Sequence, residues 1–322
     1  MQLEGIHHIS AITGDARRNV DFYTRVLGLR LTAKTVNQDD PGVYHLFYGD
    51  EEARPGADLT FFEYPFAKPG RPGAGMVHRI VHRVGSDEAL SYWDERLRAL
   101  DVAGVERTAS GSVRFTDPEG LDHELVVDAS PDNALVARHP EIPAEHALRG
   151  FEGVRAYSHR PAESARLLRE LMGAAVVSGD PEALDGERFE LRGQIRGGWI
   201  AFDQAPEERG RQSAGIVHHV AWGTYDEDLG AWIEKVADAG IPSSGYVDRH
   251  YFHSLYFREP GGVLYELATQ EPGFLVDGLP VEELGTKIIL PPFLEAQRER
   301  IEQRLTPLPD PRADWPTATP AA

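Results

Sequence analysis

The same order of local sequence patterns recurs four times along this chain, and this repeat limits the folds open to it more than any other feature. The first copy begins with GIHHISAIT, which alternates like a strand, and continues into the amphipathic run ARRNVDFYTRVL. Asp15 is placed to cap this predicted helix and Gly28 to end it. Three runs rich in β-branched and aromatic residues follow, LRLTAKTV, VYHLFYG and LTFFEYP. Each copy therefore predicts one βαβββ module.

The other three copies echo the first or one another. The second runs from MVHRIVHRV to HELVVD and the fourth from IVHHVAWGT to LYELAT, and these two match directly. The third opens with FEGVRAYS, in the register of LEGIHHIS. A βαβββ module leaves one face of its curved sheet open, so modules must pair. We predict an α+β fold with two domains, built from four βαβββ modules that form open, barrel-like cups.

Aperiodic stretches mark the predicted boundaries. Residues 131–149 are rich in proline and are predicted to link an N-terminal domain at 1–130 to a C-terminal domain at 150–270. Residues 271–322 form an extension, in which LEAQRERIEQRL is predicted to pack as a helix. The last dozen residues are expected to be frayed.

Composition narrows the function further. The 322 residues are 41% hydrophobic, which is enough to bury the cores of two domains. The formal charge of −19 argues against a nucleic-acid partner. MQLEGIHHIS lacks the features of a signal peptide and no stretch approaches about 20 apolar residues, so we expect a cytoplasmic protein without membrane contact. The chain has no cysteine, and a metal would have to be bound by histidine and carboxylate.

Comparison of the copies singles out two histidines. His8 in the first module aligns with Ala156 in the third, and His219 in the fourth aligns with Arg79 in the second. Neither alanine nor arginine binds a metal. The repeat thus acts as an internal control that marks His8 and His219 as special positions.

The last strands offer a carboxylate. Glu266 in PGGVLYELAT aligns with Glu124 in PEGLDHELVV, but only Glu266 has a candidate histidine in its own module. His8, His219 and Glu266 can therefore converge on one metal, with modules one and four forming a functional cup and modules two and three a degenerate one. Two imidazoles and one carboxylate leave up to three positions on the metal, as in non-haem Fe(II) oxygenases, whereas a structural zinc takes four protein ligands.

Four motifs resemble one enzyme family, namely GIHHIS, VHHVAW, DRHYFHSLYFREPGGVLYELAT and IPAEHALRGFEGV. They are similar to the ring-cleaving dioxygenases of the hydroquinone 1,2-dioxygenase type, within the vicinal-oxygen-chelate superfamily of glyoxalases, bleomycin-resistance proteins and extradiol dioxygenases. The resemblance implies that His8, His219 and Glu266 bind Fe(II), although Mn(II) accepts the same ligands. It also implies two substrates, a small dihydroxylated aromatic of the hydroquinone or catechol class and O2.

The same resemblance implies catalytic roles around the metal for five residues, Tyr256, Arg249, His218, His7 and Ser10. Strand alternation places His7 and His218 on the face opposite to their ligand neighbours unless the strands are bulged, so they would brace the backbone instead. Tyr256 is expected to point into the cup, and Arg249 to stabilise an anionic oxygen.

Several alternatives stay open. Phe252 and Trp222 are candidates for the apolar wall of the site, although core packing is the default explanation for both. Glu63, at the end of the last strand of module one, could supply a fourth ligand, which would favour a glyoxalase-like isomerase or lyase. A third alternative is a protein that binds a small molecule without catalysis. Such a protein should bind its ligand with or without EDTA, whereas a metal-dependent enzyme should not act in its presence. The sequence does not decide the oligomeric state, and a homo-oligomer is one of the options.

Overall fold

The computed structural model of the chain describes residues 1–315 and contains the four predicted modules in order. Module one consists of β1 (Glu4–Thr13), α1 (Ala16–Asp21), β2 (Arg30–Asn37), β3 (Asp40–Gly49) and β4 (Asp58–Glu63). Module two consists of β5 (Met76–Val84), α2 (Asp87–Ala99), β6 (Glu106–Arg107), β7 (Val113–Thr116) and β8 (Asp122–Val127).

The second half of the chain repeats this order. Module three consists of β9 (Phe151–Ser158), α3 (Pro161–Arg166), β10 (Ala175–Ser178), β11 (Glu187–Arg192) and β12 (Gly197–Gln204). Module four consists of β13 (Val217–Thr224), α4 (Asp226–Asp238), β14 (Ser243–Asp248), β15 (Phe252–Arg258) and β16 (Leu264–Pro272). A 3-10 turn (Val281–Glu283), α5 (Pro292–Glu295) and α6 (Arg298–Glu302) follow.

The first helix begins and ends where the sequence predicts. The side chain of Asp15 accepts a hydrogen bond from the backbone nitrogen of Arg18 at 3.1 Å. The helix continues into a wider π-helical turn over Phe22–Val26, and Gly28 follows with φ 73°, a conformation that glycine adopts without strain. Module three repeats the π-helical turn over Leu167–Leu171. This shared irregularity supports the correspondence between modules one and three.

The modules pair across the two halves of the chain. One eight-stranded sheet has the order β14-β15-β16-β13-β1-β4-β3-β2, and the other has the order β10-β11-β12-β9-β5-β8-β7-β6. The first sheet joins modules one and four and the second joins modules two and three, which confirms the predicted composition of the two cups. The division into domains at 1–130 and 150–270 stays a prediction, and each sheet takes strands from both sides of it.

The two faces of the first sheet have different environments because strand side chains alternate. One face packs against the helices in the main hydrophobic core, which includes the fully buried Trp222 and Trp232. The other, concave face carries a second apolar cluster around Phe47, Phe252 and Phe274. The candidate functional residues lie on this concave face.

The extension after β16 folds back onto the first sheet. Phe274 and Leu284 pack into the second apolar cluster. The predicted helix LEAQRERIEQRL is instead interrupted between α5 and α6. Arg312 forms an ion pair with Glu51 at 2.7 Å, which attaches the start of the predicted tail to module one. The frayed tail itself stays a prediction. Residues 316–322 lie outside the described part of the chain.

The segment predicted as a linker contains neither helix nor strand and is fastened to the second sheet. The carboxylate of Asp132 pairs with Arg83 on β5 at 2.7 Å and with Arg192 on β11 at 2.6 Å. Among residues 1–315, no helix has the length and apolar character needed to cross a membrane.

Candidate metal centre

Two β-bulges place four histidines side by side where β1 pairs with β13. The pairing gains an extra residue at His7 on β1 and, at the matching position, at His218 on β13. A bulge interrupts the regular alternation of side chains. His7 therefore lies next to His8, and His218 next to His219, instead of pointing to the opposite face. The expectation based on a regular strand is wrong for His7 and His218, and the bulged alternative applies.

His8, His219 and Glu266 meet on the concave face of the first sheet. The Nε2 atoms of the two histidines are 3.2 Å apart. Oε2 of Glu266 lies 3.1 Å from Nε2 of His8 and 2.9 Å from Nε2 of His219. Donors in adjacent positions around a metal, with bonds of about 2.1 Å at right angles, are separated by about 3.0 Å. The triangle therefore has the dimensions that one metal ion requires. Within residues 1–315 it is the one group of three such side chains close enough to hold a metal.

Glu266 has one oxygen held and one oxygen free. Ser254 Oγ donates a hydrogen bond to Oε1 at 2.6 Å, whereas the buried Oε2 accepts none. Burial alone would raise the pKa of Glu266, but the adjacent His8 and His219 outweigh it and hold that pKa well below its usual range. An anionic oxygen without a hydrogen bond is costly in the protein interior unless a cation compensates it. The arrangement therefore fits a bound cation.

The bulge histidines contact the candidate ligand histidines through their Nδ1 atoms. Nδ1 of His8 lies 2.9 Å from Nδ1 of His7, and Nδ1 of His219 lies 2.8 Å from Nδ1 of His218. When Nε2 of a histidine binds a metal, its Nδ1 carries the proton and donates a hydrogen bond to the neighbour. His7 then donates from Nε2 to the carbonyl of Thr269, at 3.1 Å. Burial lowers the pKa of both His7 and His218 to about 3, so both are neutral near pH 7.

A pocket of about 400 Å³ opens onto His8 and His219. This volume is typical of small-molecule sites. The pocket wall includes Tyr256, Arg249 and Phe252, which the sequence predicts there. Trp222 does not line it, because its side chain is packed in the main core on the other face of the sheet.

Tyr256 and Arg249 form one side of this pocket. Tyr256 pairs with Glu266 across β15 and β16, and its ring stands edge-on to His219 with centroids 5.8 Å apart. The guanidinium carbon of Arg249 lies 5.5 Å from the centre of the Tyr256 ring, and Asp39 holds Arg249 in an ion pair at 3.1 Å. Burial and the charge of Glu266 raise the pKa of Tyr256, so its phenol stays protonated.

His45 also lines this pocket and was not predicted. Its Nε2 lies 2.8 Å from Thr60 Oγ1, which in turn lies 2.7 Å from Ser10 Oγ. The ring of His45 stacks on Phe62 with centroids 4.1 Å apart, and burial holds its pKa well below the usual value. Ser10, the cross-strand partner of His219, therefore ends a polar chain that runs from His45 through Thr60, and it does not line the pocket. Alternation along VYHLFYG, which puts His45 on the same face as Phe47, is the sequence signal that could have found it.

The symmetry between modules one and four explains why the group has three members. β1 and β13 pair so that His8 is the counterpart of His219. Two residues after His8, Ser10 pairs with Thr60 on β4, and two residues after His219, Ala221 pairs with Glu266 on β16. A threonine therefore stands where module four supplies its carboxylate.

Glu63 lies three residues beyond Thr60 and serves the helix instead of the metal site. Its Oε1 accepts a hydrogen bond from the backbone nitrogen of Ala16 at 3.0 Å. A carboxylate is favourable there because the first turn of a helix presents unpaired N–H groups. The alternative in which Glu63 supplies a fourth ligand is therefore wrong.

The second sheet repeats the geometry without the histidines. Glu124, the counterpart of Glu266, accepts a hydrogen bond from Ser112 at 2.5 Å, just as Glu266 accepts one from a serine. Arg79 and Arg114 pair with Glu124 at 3.4 Å and 3.2 Å. Two guanidinium groups thus balance the carboxylate of the second cup, which explains how it is stable without a metal.

Residues 5–125 and 151–267 match the family model of the Glyoxalase/Bleomycin resistance protein/Dioxygenase superfamily. This chain belongs to that superfamily. The two matched stretches correspond to modules one and two and to modules three and four. The predicted family is confirmed.

Relatives within the superfamily match nearly the whole chain. "Putative ring-cleaving dioxygenase MhqA" of Bacillus subtilis strain 168 is 41% identical over 318 residues, which cover 96% of this chain and 100% of that protein. The chlorohydroquinone/hydroquinone 1,2-dioxygenase of Sphingobium indicum strain UT26S is 32% identical over 316 residues, which cover 93% and 95%. A crystal structure described as a "putative dioxygenase" from Bacillus subtilis superposes with a TM-score of 0.88 at 38% identity, covering 95% of this chain and 97% of that one.

Proposed function

We propose that this protein is an Fe(II)-dependent dioxygenase that opens the ring of a dihydroxylated aromatic compound of the hydroquinone or catechol class. The observation that carries the proposal is the set of three donor atoms, with Thr60 in the place where module one would supply a second carboxylate. Relatives named as a ring-cleaving dioxygenase and a hydroquinone 1,2-dioxygenase support the same reaction class.

His8, His219 and Glu266 would hold the metal. Two imidazoles and one carboxylate are the donor set of non-haem Fe(II) oxygenases, which keep positions open for substrates. Fe(II) bound there would supply the one-electron chemistry that lets O2 react with an aromatic diol. Mn(II) prefers similar ligands, and metal analysis of the active protein decides between the two.

The pocket walls suit a flat aromatic ring. Phe62 and Phe252 contribute apolar faces that exclude water, and the ring of His45 stacks on Phe62. Arg249 remains a cation at all working pH values and is fixed by Asp39, so it can stabilise the negative charge of an ionised diol oxygen.

Tyr256 and His218 supply neutral hydrogen bonds to the bound substrates. The phenol of Tyr256 keeps its proton and can donate a hydrogen bond to an oxygen beside the metal ligands. His218 accepts a hydrogen bond from His219 at Nδ1, which leaves its own Nε2–H directed away from the pair, and His218 lines the pocket. His7 has the matching position but orients His8, because its Nε2 is engaged by Thr269.

Oxygen uptake tests this function. Protein purified without air and loaded with Fe(II) is mixed with a panel of hydroquinones and catechols, beside His219→Ala. We expect uptake together with the absorbance of a ring-opened product, both absent from the variant. A protein that binds iron but consumes no oxygen with any diol would contradict the proposal and favour the isomerase or lyase class of the superfamily.

A further inference from the structure

A second and smaller cavity reaches His8 from another side. Its volume is about 140 Å³. The buried His7 and His8 line one end of it, and the exposed Glu52, Arg54 and Leu275 line the other. The cavity therefore connects the protein surface with the immediate neighbourhood of the candidate metal ligands.

A thin aromatic wall separates this cavity from the larger pocket. Both spaces are lined by the same four residues, His8, Phe47, Tyr251 and Phe252. The ring of Phe252 packs against His8 and His7 with centroids 5.2 Å and 5.6 Å apart. These contacts are van der Waals contacts between rings, so small side-chain motions can admit a diatomic molecule but not an aromatic diol.

The size and chemistry of the cavity indicate a small apolar ligand. Small-molecule pockets start at roughly 300 Å³, whereas a dry apolar cavity of about 150 Å³ binds xenon. Phe47, Phe252 and Phe274 supply apolar surface here, and the charged residues stand at the exposed end. Asp58 is the one charged residue in the buried part of the cavity. Its Oδ1 has no hydrogen-bond partner, and one ordered water would satisfy it.

Two substrates of very different size create a need for two routes. A diol bound in the larger pocket lies in front of His8 and His219 and obstructs that approach. We propose that the smaller cavity is the route by which O2 reaches the metal site, separate from the route of the diol. The proposal rests on the proposed function, in which O2 is a substrate.

Ala53 allows the cavity to be filled without touching the larger pocket. It lines the cavity, is partly buried and already has φ 57°. Ala53→Trp places an indole in the cavity, and Ala53→Ser is the matched control with the same backbone geometry and little added volume. Leu275→Trp, at the exposed rim, is a second blocking variant that spares the fold if Ala53→Trp does not fold.

Xenon binding and steady-state kinetics together test the route. Crystals of the metal-free protein under xenon pressure are expected to show xenon between Phe47, Phe252 and Phe274 in the wild type and in Ala53→Ser, but not in the blocking variants. In the iron-loaded enzyme, the blocking variants should lower kcat/KM for O2 by about tenfold and leave kcat/KM for the diol unchanged at saturating O2.

Two results would overturn the proposal. One is a cavity filled throughout by ordered water that excludes xenon. The other is a blocking variant in which kcat/KM for the diol falls together with that for O2, or in which neither changes. A wild type that consumes no oxygen with any diol refutes the proposed function instead, and the xenon measurement then decides by itself whether the cavity admits an apolar gas.

Discussion

At the scale of single residues, the candidate metal centre is defined by which side-chain atoms form hydrogen bonds and which do not. Ser254 takes one oxygen of Glu266, and the other faces two imidazole nitrogens without a hydrogen bond. Glu124 in the second cup has the same serine contact but is balanced by arginines. The two glutamates therefore form a natural pair for comparing a candidate metal ligand with a structural carboxylate.

Glu266→Gln should lower metal affinity by more than about 100-fold, because the amide is a poor ligand and loses the anionic charge. Metal content after dialysis, measured by elemental analysis, checks this. Glu124→Gln is the matched control and should keep the wild-type metal content, even if it lowers stability by removing the partner of Arg79 and Arg114. Equal loss of metal from both variants would contradict the assignment.

Thr60→Glu should convert the centre from three protein ligands to four. Because Thr60 is the register counterpart of Glu266, the new carboxylate would stand beside the metal and occupy a position that a substrate needs. We expect metal to be retained while oxygen uptake with diols falls by about 100-fold. Thr60→Val, which removes only the hydroxyl, should keep most of the activity. If Thr60→Glu turns over diols at the wild-type rate, the symmetry argument fails.

At the scale of elements, the strand bulges and the first helix decide where side chains point. The three candidate ligands could be predicted because the repeat supplied Ala156 and Arg79 as controls for the two histidines. The positions of His7 and His218 could not, because the alternation rule assumes a regular strand and nothing in GIHHIS or VHHVAW announces an extra residue. Thr60 escaped prediction for a similar reason, since its register depends on the loop that precedes β4.

Asp15→Ala tests the start of α1. The substitution removes the hydrogen bond to the backbone nitrogen of Arg18 and should lower the free energy of unfolding by about 1 kcal/mol. Urea denaturation of the two proteins checks this. Asp21→Ala on the same helix is the control, because its exposed ion pair with Arg25 should contribute only about 0.5 kcal/mol or less. Equal effects of the two substitutions would argue against the capping role.

Across the whole molecule, a buried polar chain joins module one to the second sheet. Tyr23, from the π-helical turn after α1, donates a hydrogen bond to Asp117 at 3.0 Å and lies 3.1 Å from His123 Nε2. His123 Nδ1 lies 3.0 Å from His82 Nε2. Burial lowers the pKa of His82 to about 3 and that of His123 well below its usual value, and it raises the pKa of Asp117 to about 6.

These shifts give the protein an acid-sensitive core. Above pH 6.5 both histidines are neutral in the folded and in the unfolded state, so they do not change the free energy of unfolding with pH. Below pH 6.5 they bind protons in the unfolded chain, whereas His82 and His123 stay neutral in the folded core, so the free energy of unfolding falls. Asp117 acts in the opposite sense, because below pH 6 the native state gains a proton that the unfolded state lacks until about pH 3.8. The effect of the two histidines exceeds that of the one aspartate, so the free energy of unfolding decreases as the pH falls from 6.5 towards 4.

His82→Gln should reduce this loss by about 1.4 kcal/mol for each pH unit between pH 6 and pH 4. Urea unfolding of EDTA-treated protein at several pH values measures the slope without a contribution from metal binding. The exposed His159→Gln serves as the control and should keep the wild-type slope. An unchanged slope for His82→Gln would show that His82 does not supply this proton uptake.

The pairing of β1 with β13 also bears on how the protein is made. His8 and His219 are separated by 211 residues, and Glu266 follows later still. During synthesis on the ribosome, the edge of β1 that pairs with β13 therefore stays unpaired until β13 has been made. Unpaired strand edges promote aggregation. A metal ion cannot contact all three candidate ligands until module four has emerged. In the proposed function, metal loading is therefore one of the last steps in the maturation of this protein.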